Sequence, residues 1–485
     1  MAFPLFSKPV QRQRWGDQQF HPVINWGDLF FDLFYVAAAY NLSTIIRESP
    51  SGLGLMYFAV CFWSVYNLWW DRTYYDARFY TGDDLWHHCI EVISLCVLAT
   101  AVLHIRSVAV LSNPTEKRDM FVLCLSLTMG KFLSAGRYLE MLVWVEGQPV
   151  AKVCARREII MMTPILVFSM TATIYAGLQY DPVGGHRFLA GGESSPYSYE
   201  SKSPTTNIPI ILLLSGGLTY TAAITFFIFT LPSGGRHKEV TVPLNVDFVI
   251  HRYGEWTMLV LGESILSLLI VEVIEGSHYY VTFYSGILSV VLLQVIHFRS
   301  QPAHADDHAL RRSKEAGVSF SLLMTVYSAA LVLLGVSYKM LLYEFVYEPK
   351  GGGRFLFKIP RWLAGGGGAL QYDTEDRRQR IANFFGGSMA IVWFCSDALI
   401  LVHRGIKANV GRCTCIHTKK VQFKGVFLVI VRAGLIAAAA TMSLYETDPE
   451  RLALFGLAGI ILQLMLRITS SIMFPDDLVL LKQKS

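Results

Sequence analysis

The sequence predicts an all-α polytopic membrane protein with about twelve transmembrane helices, arranged as two parallel six-helix repeats. Of the 485 residues, 53% are hydrophobic and only 16% are charged, and the mean hydropathy is +0.40. A soluble domain carries about 25% charged residues. Because this deficit in charge extends over so long a chain, we expect most of its helices to lie in a lipid bilayer.

Twelve apolar segments, each near the ~20 residues that a helix needs to cross a bilayer, follow one another along the chain. The first six define a repeat in residues 1–240, and the second six define a repeat in residues 241–485 that contains a long loop at 345–380. The predicted spans are 28–46, 53–71, 88–111, 120–144, 158–179, 207–231, 249–274, 279–298, 316–343, 382–403, 423–445 and 452–473.

Basic residues are concentrated on alternate connections between the predicted spans. They lie in the N-terminal segment, after the fourth span, in the central linker and after the tenth span. The positive-inside rule places these connections, and both termini, in the cytoplasm. We interpret the net charge of +5 as this topology signal and not as a nucleic-acid-binding surface. The plasma membrane is the expected location, in preference to an organelle.

Charged positions at the start of each half of the chain correspond at a constant offset of 223, as 251 − 28 and 306 − 83 show. Because six helices are an even number, two such halves are parallel repeats related by an axis along the membrane normal. Chance matching among apolar helices is the alternative. The corresponding pairs are Asp28 with His251, Asp32 with Glu255, Asp83 with Asp306 and Asp84 with Asp307.

Ionisable side chains occur inside the predicted spans, where each costs about 2.5 kcal/mol or more and therefore faces protein or trapped water. On the first helix two carboxylates lie four residues apart and share one face. We expect this face to meet the acidic face of the seventh helix. The candidate ion- or substrate-binding residues are Asp28, Asp32, His251, Glu255, Glu263, Arg137, Glu140, Asp397 and Arg432.

A structural role is the alternative for each of these residues. Asp32 or Glu263 would then pair with Arg137 or Arg432 and hold helices together. Asp28 lies close enough to the start of its helix to act as a cap.

Two further acidic pairs lie between the second and third helices of each half, in "TGDDLWHHCIE" and "HADDHALRRSKE". Capping of helix N-termini is the favoured interpretation of Asp83, Asp84, Asp306 and Asp307. A cytoplasmic gate and a metal site that includes the neighbouring histidines are alternatives. We expect no metal and no cofactor. No H-E-x-x-H, G-x-S-x-G or Walker motif is present, so the sequence does not predict an enzyme.

Three segments together resemble a known family. They are "GDLFFDLFYV" at 27–36, "NLWWDRTYYDARFYTGDDLWHH" at 67–88 and "HRYGEWTMLVLGESIL" at 251–266. The first is similar to the E-L-F-F-D-L-V-F-V signature of the bacterial low-temperature-requirement A membrane proteins, and the last to the E-R-F-G-x-F-x-x-x-L-G-E-S signature of their second half. Asp28 and His251 stand where that family has glutamates. The resemblance implies a multi-helix integral membrane protein and implies little about its chemistry.

Three functions are consistent with these features. The first is a secondary transporter coupled to protons or cations, in which buried acids bind the coupling ion. The second is a cation channel, lined by the first and seventh helices and assembled as a homodimer. The third is a membrane metal-binding protein or enzyme that uses the Asp and His clusters. The expected partners are the lipid bilayer and a small ion or solute whose identity the sequence does not reveal.

Overall fold

The structure is a computed structural model of the chain. It describes residues 4–15, 26–81, 84–106, 114–145, 147–179, 207–230, 237–302, 307–347, 370–404 and 418–473.

Long α-helices dominate these residues. They are α1 Trp26–Glu48, α2 Gly52–Asp76, α3 Leu85–Leu103, α4 Pro114–Trp144, α5 Pro149–Gln179, α6 Ile208–Thr230, α7 Val246–Leu269, α8 Ser277–Ser300, α9 Lys314–Tyr347, α10 Leu370–Arg404, α11 Thr418–Thr441 and α12 Pro449–Met473. Short helical segments at His237–Val240, Ala309–Arg312 and Met442–Leu444 lie between them.

Ten of the long helices are apolar over a length that can cross a membrane. The exceptions within the described residues are α7, which carries four charged side chains, and α11, whose apolar part is limited to Val429–Leu444. The fold is therefore an all-α polytopic membrane fold. The count of twelve spans and the pairing of two repeats stay predictions.

The beginnings of several helices follow directly from the local sequence. Pro114, Pro149 and Pro449 occupy the first position of α4, α5 and α12, where proline loses no helical hydrogen bond. The Ser51 hydroxyl accepts a hydrogen bond of 3.2 Å from the backbone N–H of Gly54 at the start of α2. A Cβ on Gly54 would lie 2.0 Å from the Ser49 carbonyl oxygen, so this tight entry requires glycine.

The chain forms two compact units. The first comprises residues 1–259 and 313–318, and the second comprises 260–312 and 319–485. This division falls within α7, whereas the sequence prediction placed the repeat boundary at 240. The boundary at 240 was predicted from an internal duplication of the sequence, whereas the two units are defined by how compactly the chain packs. The boundary at 240 therefore stays a prediction.

In the first unit, α2 packs against α1, α4 and α6, and α4 packs against α3 and α5. Aromatic rings fill its centre, with the ring centroids of Trp69 and Trp256 4.7 Å apart and those of Tyr66 and Trp256 5.2 Å apart. In the second unit, α8 packs against α12 and α10, and α10 also packs against α11.

The N-terminal segment of the first unit forms a feature that the sequence analysis did not predict. Val10–Gln11 pairs antiparallel with Phe79–Tyr80, which follows α2. The Gln13 side-chain amide donates to the carbonyl of Leu244 at 3.1 Å. The backbone N–H of Leu85 donates to Pro4 at 3.1 Å, so this segment also satisfies the first turn of α3.

The predicted loop at 345–380 is partly wrong. Residues 370–380 form the beginning of α10, and α9 continues to Tyr347. These helix ends are polar, so hydropathy alone did not extend the helices across them. Glu344 lies 3.3 Å from Arg377 and 3.5 Å from Arg378, and these ion pairs join the end of α9 to the start of α10.

Candidate functional site

Asp32 lies at the centre of a buried ion-pair network in the first unit. Its side chain is 0% exposed. The Arg252 guanidinium on α7 donates to Asp32 Oδ1 at 2.8 Å, and the Trp69 indole N–H on α2 donates to the same oxygen at 3.2 Å. The other carboxylate oxygen has no hydrogen-bond partner among the described residues. Three helices thus converge on one carboxylate.

The network continues along α7 toward the surface of the unit. Arg252 also donates to Glu255 Oε2 at 2.6 Å, and His251 Nε2 lies 3.1 Å from Glu255 Oε1. The i,i+3 and i,i+4 spacings place these side chains next to one another on the helix. Side-chain exposure rises from 3% at Arg252 to 19% at Glu255 and 42% at His251. We call Asp32, Arg252, Glu255 and His251 the charge relay.

A second group of ion pairs surrounds Arg72 on α2. Its Nη2 lies 3.2 Å from Asp28 Oδ1 and also contacts Glu91, while its Nε lies 3.6 Å from Asp76. Arg137 on α4 lies 3.6 Å from the other oxygen of Asp76. Asp28 is in the first turn of α1, as the capping alternative requires, but its side chain pairs with an arginine of another helix.

Two other buried acids are fully engaged in ion pairs. Asp71 lies 2.6 Å from Lys131 and accepts a hydrogen bond from the Tyr220 hydroxyl at 2.8 Å. Glu158 lies 2.9 Å from Arg78. Because each acid has an immediate cationic partner, these contacts need no bound ion. They join α2 to α4 and α6, and they join the segment that follows α2 to α5.

Asp84 caps α3, as the sequence analysis favoured. Its carboxylate accepts from the backbone N–H of His87 at 2.9 Å and from the backbone N–H of Ser7 at 3.0 Å. Burial alone would raise the pKa of Asp84, but hydrogen bonds from the Ser7 hydroxyl and from the backbone N–H of His87, together with the His87 ring, lower it to about 2. The other ring nitrogen of His87 lies 3.1 Å from Glu140. Glu140, which the sequence predicted as a binding residue, therefore contacts the histidine that Asp84 binds at the start of α3.

The structure says less about the other three acids that were predicted to cap helices. Asp83 and Asp306 lie outside the described residues. Asp307 is exposed and precedes the short helix Ala309–Arg312. No group of three or more His, Cys, Asp or Glu residues that could hold a metal occurs within the described ranges.

In the second unit, one predicted site residue is buried and another is partly buried. Glu263 accepts a hydrogen bond from the Ser267 hydroxyl one turn later, at 2.6 Å. Asp397 Oδ1 lies 3.2 Å from Arg467 and 3.4 Å from Arg432. The Asp397 group therefore joins α10 to α11 and α12.

The ion pairs proposed as a structural alternative differ from those observed. Asp32 pairs with Arg252 and not with Arg137 or Arg432, and the side-chain hydrogen bond of Glu263 comes from a serine. Arg137 pairs with Asp76, and Arg432 pairs with Asp397. Arg137 and Arg432 thus each pair with an acid on a helix that is packed next to their own.

Sequence reasoning did not identify Arg252 or Arg72 as site residues. Both signals were present in the motifs, since Arg252 follows His251 in "HRYGEW" and Arg72 follows Asp71 in "WWDRTYYD". The analysis followed acidic residues along the first and seventh helices and gave no weight to the arginines beside them. Arg252 is the residue that brings the acids of these two helices together.

Apolar helices that carry paired charges in their interior define a multi-pass integral membrane protein. The chain belongs to the bacterial low temperature requirement A protein (LtrA) family, whose sequence model matches residues 23–372, more than half of its length. The matched region contains the charge relay and the Arg72 group. No curated protein and no solved structure matches the chain.

Proposed function

We propose that this protein is a secondary transporter coupled to protons or cations, with the charge relay as the coupling site. The observation that carries the proposal is the graded path from a fully buried carboxylate, through Arg252 and Glu255, to the partly exposed His251. Buried ionisable groups within membrane helices mark ion and proton pathways more often than other positions do.

The charge of the relay supports a cationic coupling ion. Asp32 and Glu255 contribute two negative charges, and Arg252 contributes one positive charge. With His251 neutral, the relay has one uncompensated negative charge, which a proton or a small cation would balance. The free oxygen of Asp32 is an acceptor for that ion.

Protonation offers a simple way to couple this site to motion of the helices. A neutral Asp32 attracts the Arg252 guanidinium less strongly. The ion pair between Arg252 and Glu255 remains, because both residues lie on α7. The link between α1 and α7 is then weakened while α7 stays intact. Loss of the proton restores the link, and such a two-state contact is what alternating access requires.

The test is ion movement in liposomes that contain the purified protein. We expect the wild type to carry out saturable movement of protons, sodium or potassium down an imposed gradient. Asp32→Asn and Glu255→Gln should each reduce the rate at least tenfold without reducing the amount of folded protein. Asp119→Asn is the matched control, because Asp119 pairs with Arg106 outside the relay and its loss should leave the rate unchanged.

Two results would contradict the proposal. One is a wild type that moves none of the three ions. The other is unchanged movement in both relay variants. Stepwise single-channel currents in a planar bilayer would instead support a cation channel lined by the first and seventh helices. Glu263→Gln, in the second unit, extends the test, since we also expect it to reduce the rate.

A further inference from the structure

In the first unit, the start of α5 packs against the segment that precedes α7. The short helix His237–Val240 contacts α5. Val242, two residues after this helix, belongs to the same buried cluster as Ala151 and Ala155 in the first two turns of α5. These contacts bring the polar side chains of both segments to one end of the unit.

Three basic side chains lie beside this buried contact. Lys152 and Arg156 are four residues apart and therefore share one face of α5. Lys152 is partly exposed, and Arg156 is exposed. Lys238, on the short helix, is also exposed, and its ammonium lies 5.9 Å from the centre of the Trp15 ring. None of the three forms an ion pair with a residue that the structure describes.

Trp15 adds an aromatic ring to these charges. The residue is 41% exposed, and its indole N–H donates to the carbonyl oxygen of Thr241 at 2.9 Å. Tryptophan is enriched where membrane meets water, because its ring is apolar and its N–H is polar. We call Trp15, Lys152, Arg156 and Lys238 the basic patch.

Arg156 also lies on a stripe of α5 that faces lipid. Val153, Ile160, Val167 and Ile174 recur every seven residues and are 46% to 60% exposed. A spacing of seven keeps side chains on one face of a helix, and exposed apolar side chains of a membrane helix contact acyl chains. Arg156 falls between the first two of them, at spacings of three and four, so it shares their face.

The length of α5 places Arg156 near the lipid headgroups. The helix has 31 residues and is therefore about 46 Å long, about 16 Å more than the hydrocarbon core of a bilayer. Shared equally, this excess extends about 8 Å beyond the core at each end. Arg156 lies about 10 Å from the start of the helix. A long arginine side chain at this depth extends to the headgroups.

The formal charge around the basic patch favours an anion. Residues 4–15 carry +3, residues 149–158 carry +2 and residues 237–247 carry −1, which gives +4 for the three segments. The one acid among residues 149–158, Glu158, already lies 2.9 Å from Arg78 and 3.0 Å from Arg157. Two guanidiniums thus share this carboxylate, and it does not neutralise the patch.

We propose that the basic patch binds the headgroup of an anionic phospholipid, with the acyl chains along the apolar stripe of α5. Guanidinium and ammonium groups bind phosphate through charge-assisted hydrogen bonds. A zwitterionic headgroup also carries an ammonium, which the patch repels. Free phosphate would use the charges and not the stripe, so a lipid fits both features. The proposal is independent of the coupling site, since no residue of the charge relay belongs to the patch.

Thermal unfolding of the purified protein in a non-ionic detergent, with phosphatidylglycerol added stepwise, tests the proposal. A lipid that binds the folded state raises the unfolding temperature by mass action. Phosphatidylglycerol should raise it saturably, whereas phosphatidylcholine and glycerol 3-phosphate should leave it unchanged. Arg156→Gln should weaken the apparent affinity for phosphatidylglycerol about fivefold, and Lys152→Gln/Arg156→Gln about thirtyfold, because each removes charge from the patch.

Arg106→Gln/Arg118→Gln is the matched control. It also removes two basic side chains, both exposed, which lie after the end of α3 and near the start of α4. Wild-type affinity in the control, with weaker binding in both patch variants, supports the proposal. If Lys152→Gln/Arg156→Gln does not fold, Arg156→Gln decides, since its side chain is exposed.

Four results would overturn the proposal. The first is a wild type whose unfolding temperature does not respond to phosphatidylglycerol. The second is an equal response to phosphatidylcholine or to glycerol 3-phosphate. The third is wild-type affinity in Arg156→Gln. The fourth is a loss of affinity in the control as large as in the double patch variant, which would assign the effect to net charge.

Discussion

Arg252 holds two carboxylates from two helices with one guanidinium. Asp32 on α1 and Glu255 on α7 both bind it within 2.8 Å, and the Asp32 side chain has no exposed surface. A buried carboxylate that loses its cationic partner is destabilising by several kcal/mol. At the scale of single residues, we therefore expect Arg252 to be the most sensitive position of the relay.

Arg252→Gln should lower stability by about 3 kcal/mol, because it leaves Asp32 charged, buried and without its ion pair. Thermal unfolding of the purified protein in detergent measures this loss. The double variant Asp32→Asn/Arg252→Gln should recover part of it, since the unpaired charge is then absent. A double variant that is less stable than Arg252→Gln alone would contradict this account.

Asp84 predicts a dependence of stability on pH. Its pKa in the fold is about 2, below the ordinary value of 3.8, because the Ser7 hydroxyl and the backbone N–H of His87 donate hydrogen bonds to the carboxylate against the opposing effect of burial. A carboxyl group whose pKa is lowered by folding stabilises the fold above its ordinary pKa. This contribution is lost as the pH falls from about 4 to 2.

The variant Asp84→Asn isolates this effect. Its unfolding temperature should lie below that of the wild type at pH 6, and the difference should shrink as the pH falls below 4. Asn can still cap the helix, so the change removes mainly the charge. A difference that stays constant from pH 6 to pH 3 would assign the effect to the shape of the side chain.

The residue scale also shows what sequence reasoning could and could not find. The spacing of Asp28 and Asp32 identified a buried acidic face, and the capping role of Asp84 is confirmed by its bond to His87. The partners were not predictable in the same way. Ion pairs between helices depend on which helices pack together, and no local pattern encodes that Arg252 lies beside Asp32.

At the scale of elements, adjacent glycines on α10 differ in what surrounds them. A Cβ on Gly386 would lie 2.5 Å from the backbone carbonyl oxygen of Ala439 on α11. A Cβ on Gly387 would meet nothing within 4 Å among the described residues. Small residues let membrane helices approach closely where no hydrophobic driving force acts between them. Only Gly386 therefore serves the contact between α10 and α11.

Gly386→Ala should lower stability by about 1–3 kcal/mol, because the backbone of α11 must move to admit the methyl group. Gly387→Ala should be neutral or should raise stability by up to about 1 kcal/mol, since alanine favours the helix. Unfolding temperatures of the two variants, measured side by side, check this. Equal effects of the two substitutions would mean that the packing at Gly386 is not tight.

Most elements were predictable from hydropathy, because long apolar segments have few alternatives to a membrane helix. The errors have physical causes. The polar start of α10 was assigned to the loop at 345–380, since hydropathy detects the lipid-facing part of a helix and not its extension into water. The two-residue strands at Val10–Gln11 and Phe79–Tyr80 are too short to produce a periodic pattern.

At the scale of the whole molecule, the topology depends first on α7, the more highly charged of the two long helices that are not among the ten candidate spans. It carries the relay residues Arg252 and Glu255 as well as Asp247 and Glu263, and this charge sets it apart from the ten helices that are apolar over a full span. We expect it to span the membrane, because its charges are paired or hydrogen-bonded within the protein. The predictions of two parallel repeats and of cytoplasmic termini both require α7 to span the membrane.

A short epitope inserted in the 270–276 segment, directly after α7, tests that prediction. In intact cells an antibody should reach this epitope from outside, whereas epitopes at the two termini should require permeabilisation. If α7 did not span, the 270–276 segment would lie on the side of the preceding 241–245 segment. An epitope there that becomes accessible only after permeabilisation would exclude the twelve-span arrangement.

The ribosome makes residues 4–13 well before it makes the segments that bind them. Val10–Gln11 must wait for Phe79–Tyr80, and Gln13 must wait for Leu244. Six long helices, α1 to α6, are therefore made before this segment can reach its final place. Until this segment docks, the start of α3 lacks the hydrogen bond to the carbonyl of Pro4.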